Sequence, residues 1–463
     1  MTGDAVVEYL LARAADPVAH ARWAEQARST GWCSCPVRLS GSTARVDAGT
    51  GEVTSAFTTA DEPDGTLLKA CGQRRATACP SCSVVYRSDA YQLVAAGLRG
   101  GKGVAEAVAT LPRVFVTLTA PSFGPVHSRR ERAGIARPCH TGRPCPHGAR
   151  IACDRIHPPA DPALGTPLCS ACFDYRATVL WNASATELWR RTTIAVRRRL
   201  AERLGVPSRQ VSRHARVSYL KVVEYQARGV VHVHAVVRLD GPDGGPPVGM
   251  DVTDLAVAVT AAARAASAPW PPGALIGGAA RWGDQLDVRP IGGTDATDRS
   301  VAGYIAKYAT KSTDGLGRLD HRLHPSQLAT LDLPEHLARL VRTAWELGGE
   351  DALSGLRLRA WAHTLGFRGH WLTKSRAYST TFGALRAARV LHAAQRRGEA
   401  VDPESIAVKD WRFVSRGWAN SGDALLAATA AADRVEARRH ARQDRHDTRT
   451  QREENHGQAA AHP

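Results

Sequence analysis

Several kinds of segment are missing from this 463-residue chain. No stretch reaches the ~18 uninterrupted apolar residues that a membrane span needs. The alanine-rich run at 255–269 is broken by Arg264. The opening Met1-Thr2-Gly3-Asp4-Ala5 lacks the basic n-region of a secretory signal. There is no Gly-x-x-x-x-Gly-Lys-Ser/Thr phosphate loop, so the chain is not expected to drive DNA or protein movement with ATP. No internal repeat is visible. A cytoplasmic protein with no membrane partner is expected.

Acid is scarce too. Lys and Arg total 61 against 44 Asp and Glu, a net charge of +17, which points to a polyanionic partner. From Ala352 to Gly398 there are nine basic residues and no acid, interleaved with Trp361, Phe367, Trp371 and Tyr378. That pattern suits phosphate contact combined with base stacking on single strands. Arg368, Lys374, Arg376 and Trp371 are the candidate DNA-binding residues. A second basic face, with Arg190, Arg191, Arg197, Arg198 and Arg199, belongs to a helix expected over 177–204.

Ten cysteines in a reducing compartment argue for metal rather than disulfides. Cys79-Pro80-Ser81-Cys82 and Cys169-Ser170-Ala171-Cys172 have the two-residue gap that lets paired thiolates chelate one Zn2+. Cys71 joins the first pair, with Cys33 or Cys35 to complete it. Two of Cys139, Cys145 and Cys153 complete the second, with His140, His147 and His157 as competitors; Cys145 and Cys153 are the pair preferred. Buried free thiols are the plainer reading, but a weaker one for two such pairs.

Reactive chemistry is concentrated in two segments. Val230 to Leu239 is rich in β-branched residues and follows the turn signal Arg228-Gly229, so it reads as a strand. His232 and His234 then share one face. Val217 to Tyr225 reads as its antiparallel partner. A hairpin loop of odd length, such as Ala227-Arg228-Gly229, sets Glu224 opposite His232. Two imidazoles and a carboxylate with open positions suit a divalent ion, Mg2+ or Mn2+, that also accepts substrate oxygens. A lone histidine here would more simply be a satisfied core residue.

The second segment, Gly303 to Lys311, reads as a helix with Tyr304 and Tyr308 on one face and Lys307 beside them. An attacking phenol, which titrates near pH 10, benefits from an adjacent cation. Taken alone, the two rings would be ordinary core aromatics. Paired with the histidines, they form a candidate nucleophile and metal set.

The expected fold class is α+β. An antiparallel sheet with packed helices forms a core over 110–315, with a Cys-rich zinc-binding insertion at 130–172. Its strands include Arg113 to Pro121 and Gln285 to Ile291, the latter confined to an edge by Pro290. A helix is expected over 251–267. Residues 1–109 form an N-terminal region with a zinc knuckle, opening on a helix from Val6 to Ala27. A basic helical region spans 325–430, and 433–463 is a polar, charge-mixed tail expected to be disordered.

His-x-His followed by Tyr-x-x-Lys-Tyr resembles the HUH endonucleases that initiate rolling-circle replication. Arg113-Val114-Phe115-Val116-Thr117-Leu118-Thr119 fits that family's threonine strand. Longer stretches resemble the RepSA-type replication initiators of actinomycete plasmids and integrative elements. They are Leu118 to His127, Val179 to Ala183, Thr343 to Gly349 and Leu365 to His370, and the resemblance covers roughly Cys71 to Arg389. It implies an HUH-type fold and metal-dependent nicking and joining of plasmid origin DNA, single-stranded or melted. Tyr304 or Tyr308 would form a 5′-phosphotyrosine, and a host helicase would supply unwinding. An HUH transposase or relaxase, and a noncatalytic zinc-ribbon regulator, are the alternatives.

Overall fold

A computed structural model describes residues 8, 9, 11, 13, 15–140, 142, 144–148, 151–292, 294–311, 319, 321–396, 398 and 405–459. The chain forms two compact units: Met1–Tyr86 with Leu391–Pro463, and Arg87–Val390.

The first unit opens with α1 (Pro17–Ser29). Asp16 caps it by accepting from the Val18 and Ala19 amides, and Pro17 sits where no amide donor is needed. Strands β1 (Val37–Val46), β2 (Val53–Thr58) and β3 (Leu67–Lys69) follow, and then the start of α2 (Pro80–Arg99). β2 and β3 both pair antiparallel with β1.

The second unit begins its sheet with β4 (Arg113–Leu118). The Cys-rich insertion carries a small hairpin, β5 (Arg130–Arg132) and β6 (Ile135–Arg137). Next come α3 (Tyr175–Leu204), β7 (Arg216–Tyr225), β8 (Val231–Asp240) and α4 (Val252–Ala265). The short pair β9 (Ser267–Pro269) and β10 (Ala279–Arg281) precedes β11 (Leu286–Pro290) and α5 (Asp295–Lys311). Helix α6 (Glu335–Leu347), strand β12 (Leu372–Lys374) and helix α7 (Phe382–Arg396) complete this stretch.

Five strands form one antiparallel sheet in the order β11-β4-β8-β7-β12. Its two faces differ in chemistry. One presents Val114, Val116, Leu118, Val217, Val223, Val231, Val233, Val237 and Leu239, all buried in a single core with Trp181, Leu188 and Leu200 of α3 and Leu255 and Val259 of α4. Each such aliphatic side chain contributes about 1.5–3 kcal/mol on burial. The opposite face carries Arg113, Phe115, Thr117, His232, His234 and Glu224, and α5 packs on that side. Pro290 does sit on an edge strand, where its missing N–H costs no ladder bond.

The chain then returns to the first unit. β13 (Ile406–Arg416) pairs with the full length of β1, and α8 (Ser421–Ala459) closes the described chain.

Three expectations change. The region 325–430 is not simply helical, because it supplies β12 and β13. Both lie beside strands far away in sequence, and Lys409, Asp410 and Arg412 give β13 the polarity of a solvated segment. The N-terminal region does not end at 109 but at Tyr86, and it regains 391–463. Residues from Asp433 continue as helix to Ala459 rather than as a disordered tail. The alanines at 424, 427, 428 and 430–432 favour helix, and Glu436 faces His440 at 3.8 Å one turn on. Residues 460–463 lie outside the described chain.

Candidate active site and metal-ligand clusters

The β7–β8 hairpin turns through Ala227, Arg228 and Gly229. Gly229 takes a left-handed φ of +79°, and the Gly229 amide donates to the Gln226 carbonyl at 2.8 Å. That three-residue loop sets the register, so Glu224 lies directly opposite His232, as the sequence implied. One ligand atom from each of Glu224, His232 and His234 lies within 4.8 Å of the other two. His234 Nε2 is 3.2 Å from the Glu224 carboxylate.

What orients the rings is β4. Thr117 Oγ1 meets His234 Nδ1 at 3.2 Å, and Thr119 Oγ1 meets His232 Nδ1 at 3.1 Å. Both Nδ1 atoms are thus engaged, which leaves the Nε2 atoms to a ligand. His232 is pushed down to about 3, chiefly by burial, then by the charges of His234 and Arg228. It is therefore neutral at physiological pH, the form a metal needs.

Tyr304 and Tyr308 both reach this site. Their ring centroids lie 5.3 and 4.9 Å from that of His234 and 4.5 Å from each other. Phe115 braces Tyr304 edge-on at 5.6 Å. The Lys307 ammonium lies 5.9 Å from the Tyr308 ring. Tyr304 is 40% exposed, yet its phenol titrates above the usual range. Burial is the first cause, followed by the Tyr308 hydroxyl and the Glu224 charge. The helix is tied down by a buried ion pair, Arg113 of β4 with Asp298 of α5 at 3.1 Å. The resemblance marked Thr117 and Thr119 as a threonine strand without giving them a role, and nothing in the sequence pattern singled out Asp298 or Arg113 as positioning residues.

Among the described residues, nine of the ten cysteines gather into three four-donor clusters. Cys33, Cys71, Cys79 and Cys82 form the first, with sulfur separations of 3.6–3.8 Å. Backbone amides of Cys71 and Ser34 point at the Cys33 and Cys79 sulfurs. The Cys71 thiol is drawn down to about 7, chiefly by the Cys33 side chain. Of the two candidates to complete this set, Cys33 enters and Cys35 does not.

The second cluster is Cys145, His147, Cys169 and Cys172. Cys153 is not part of it. It stands with His127, Cys139 and His157 in a third cluster, which corrects the pairing of Cys153 with Cys145. Sequence spacing could not separate the two sets, because their ligands interleave along one loop-rich insertion.

The candidate DNA-binding residues divide. Arg368 and Lys374 line a cleft of about 770 Å³ beside α3, together with Trp361, Arg357 and His370. Arg376 lines a different cleft, with Lys102 and Arg216. The Trp371 ring packs against Tyr225 at 5.4 Å and Phe367 at 5.2 Å, and Trp361 rather than Trp371 is among the rings that line the cleft.

Lys221 of β7 also lines the first cleft, although only 5% exposed. Burial draws it down to about 8. Its ammonium lies 5.8 Å from the Trp189 ring and has no anionic partner among the described residues. The Trp189 indole N–H and the Thr373 hydroxyl, in the same wall, are buried without partners. The one acid lining this cleft, Glu187, is bound to Arg190 and Arg191 at 2.7 Å.

Comparison with known proteins bears on all these sites. Residues 19–432 match the family model RepSA, described as the replication initiator protein of pSAM2. The chain belongs to the RepSA replication initiator family. A replication initiator protein of Streptomyces ambofaciens is 43% identical over 440 residues, covering 91% of this chain and 92% of that one. No solved structure matches. The RepSA match contains the histidine strand, the tyrosine helix, all three cysteine clusters and the Lys221 cleft; residues 1–18, with the first two residues of α1, and the part of α8 after residue 432 lie beyond it. Among the described residues, no helix of this RepSA chain is long and apolar enough to cross a membrane.

Proposed function

We propose that this RepSA chain initiates plasmid replication by nicking and rejoining one strand of origin DNA, using an HUH-type site on the β7–β8 hairpin. The observation that carries the reading is the convergence of two phenols on an imidazole of a His, His, carboxylate set. His232, His234 and Glu224 would hold Mg2+ or Mn2+, which acts as a Lewis acid on the scissile phosphate when bound. Thr117 and Thr119 fix the imidazoles in the orientation that holds the ion.

The phenol oxygen of Tyr304 or Tyr308 bonds to phosphorus as the bond from phosphorus to the 3′ oxygen breaks. The phenol loses its proton and the departing oxygen gains one, leaving a 5′-phosphotyrosine and a free 3′-hydroxyl. Because the phosphodiester is exchanged rather than hydrolysed, rejoining needs no ATP. The raised pKa of Tyr304 keeps it protonated until a cation stabilises the phenolate. Lys307 is positioned to help at Tyr308. The second tyrosine, one turn away, stands ready for a second cut.

Single-stranded or melted origin DNA fits the cleft of Lys221, Arg368 and Lys374, where Trp361 offers a stacking surface. Unwinding falls to a host helicase. Zn2+ at Cys33, Cys71, Cys79 and Cys82, and at Cys145, His147, Cys169 and Cys172, is structural, since four protein donors leave no open position.

The test is cleavage of supercoiled origin plasmid with and without Mg2+, followed by detection of a covalent protein–DNA adduct. Nicked circles and an adduct lost in Tyr304→Phe/Tyr308→Phe are expected. Metal-independent nicking, or an adduct surviving in the double variant, would refute the mechanism.

A further inference from the structure

The third cluster lies at the base of the β5–β6 hairpin. His127 stands three residues before β5 and Cys139 two residues after β6, with Cys139 Sγ 3.9 Å from His127 Nδ1. Cys153 and His157 reach in from the following loop. His157 Nε2 lies 3.4 Å from Cys153 Sγ and 3.2 Å from His127 Nδ1. A tetrahedron with arms of about 2.0–2.3 Å has edges of about 3.3–3.8 Å, so these separations suit one zinc ion.

The surroundings are those of a ligand shell. Asp161 engages His157 Nδ1 at 2.8 Å, which turns the Nε2 lone pair inward. The Ser128 amide donates to Cys139 Sγ at 3.2 Å, and paired backbone bonds join His140 to Cys153. Cys139 and His157 are buried.

The hairpin itself needs such a staple. Its strands are three residues long and every residue from Arg129 to Arg137 is exposed, so no apolar core supports it. Ala133 and Gly134 form its two-residue turn, both at positive φ.

Register puts Arg130 opposite Arg137, with Arg132 two residues along on the same face. Glu131 projects from the other face, where Arg129 holds it at 3.0 Å. None of the three face arginines has an acidic partner among the described residues. Like charges directly opposite one another are destabilising in a ribbon unless an anion lies against them.

We infer that His127, Cys139, Cys153 and His157 bind a zinc ion that clamps an arginine ribbon, whose Arg130, Arg132 and Arg137 face contacts duplex DNA. A two-stranded ribbon fits the major groove, and its arginines reach phosphate oxygens and guanine edges. The inference rests on the DNA-handling reading above only for the identity of the polyanion.

Full-length protein purified without chelator would be assayed for zinc by emission spectroscopy. Binding of duplex and single-stranded oligonucleotides would be measured across a salt series. Three zinc ions per wild-type chain are expected, one for each cluster, and one fewer in Cys153→Ser. Two or fewer in the wild type, or an unchanged count in a folded Cys153→Ser protein, overturns the metal site. If Cys153→Ser does not fold, the wild-type count decides.

The Arg130→Gln/Arg132→Gln/Arg137→Gln variant alters exposed residues alone. It should keep all three zinc ions, while the slope of log affinity for duplex against log salt becomes shallower by about 2–3. A smaller change is expected on single strands. An unaltered duplex slope, or an equal or larger change on single strands, overturns the ribbon's role. Absence of nicking by the wild-type chain would instead strike the cleavage proposal, since neither readout depends on Tyr304 or Tyr308.

Discussion

The molecule gathers metal-type donors in two different ways. On the hairpin, three donors converge on a rigid sheet face and are steered by threonine hydroxyls from the next strand. In the cysteine clusters four donors converge from loops and, for Cys82, from the first turn of α2, steered largely by backbone amides. Three donors leave positions for a substrate oxygen; four leave none. On the function proposed above, the difference would separate a place where bonds change from places where chain segments are held together.

The largest effect should come from the open set. His234→Ala removes a central donor, so loss of several kcal/mol of transition-state stabilisation is expected, about 10³-fold or more in adduct formation. Quantified phosphotyrosine yield checks this, and near-normal yield would detach the histidine from the chemistry.

Removing free ions sharpens the contrast. Desalting into divalent-free buffer without a chelator should abolish nicking while zinc content and circular dichroism persist, because structural zinc is held by about 10–16 kcal/mol. Added Mg2+ or Mn2+ should restore the reaction. Simultaneous loss of fold and activity would erase the distinction between the two kinds of site.

Third in size is Asp298→Ala. It strands the buried Arg113 guanidinium beneath the tyrosine helix, and about 3–5 kcal/mol of stability should vanish in a denaturant titration. Thr119→Val should be milder, weakening divalent-ion affinity at the histidines by about 10–100-fold without unfolding. Calorimetric titration of the metal measures it.

The smallest effect concerns pH. Lys221 is drawn down to about 8, so its ammonium is present below that pH and lost as pH rises through it. Single-strand affinity should therefore fall severalfold between pH 7 and 9, as one phosphate contact loses its charge. Lys221→Met should flatten the profile, and an unflattened one would remove Lys221 from the binding surface.

Local pattern revealed most of the candidate site's geometry. Alternation placed His232 and His234 on one face, and loop parity placed Glu224 opposite His232. Helical spacing stacked Tyr304 on Tyr308, and Pro290 marked an edge. What escaped were relationships that cross the chain. Asp298 looks like an ordinary first-turn acid until Arg113 lies beneath it. Cys153 sits eight residues after Cys145 yet joins His127 instead. Trp371 has the right company for stacking on bases but spends its ring on Tyr225 and Phe367. Strand β13 has its partner at the other end of the protein.

That last pairing has a consequence for synthesis. β1 emerges early, but the strand that covers its whole length is among the final segments made. While the central unit emerges and collapses, the amino-terminal one must wait with an open edge. A chain released after residue 405 should therefore carry a finished sheet of five strands and an unfinished amino-terminal unit, the latter exposed to proteases and chaperones.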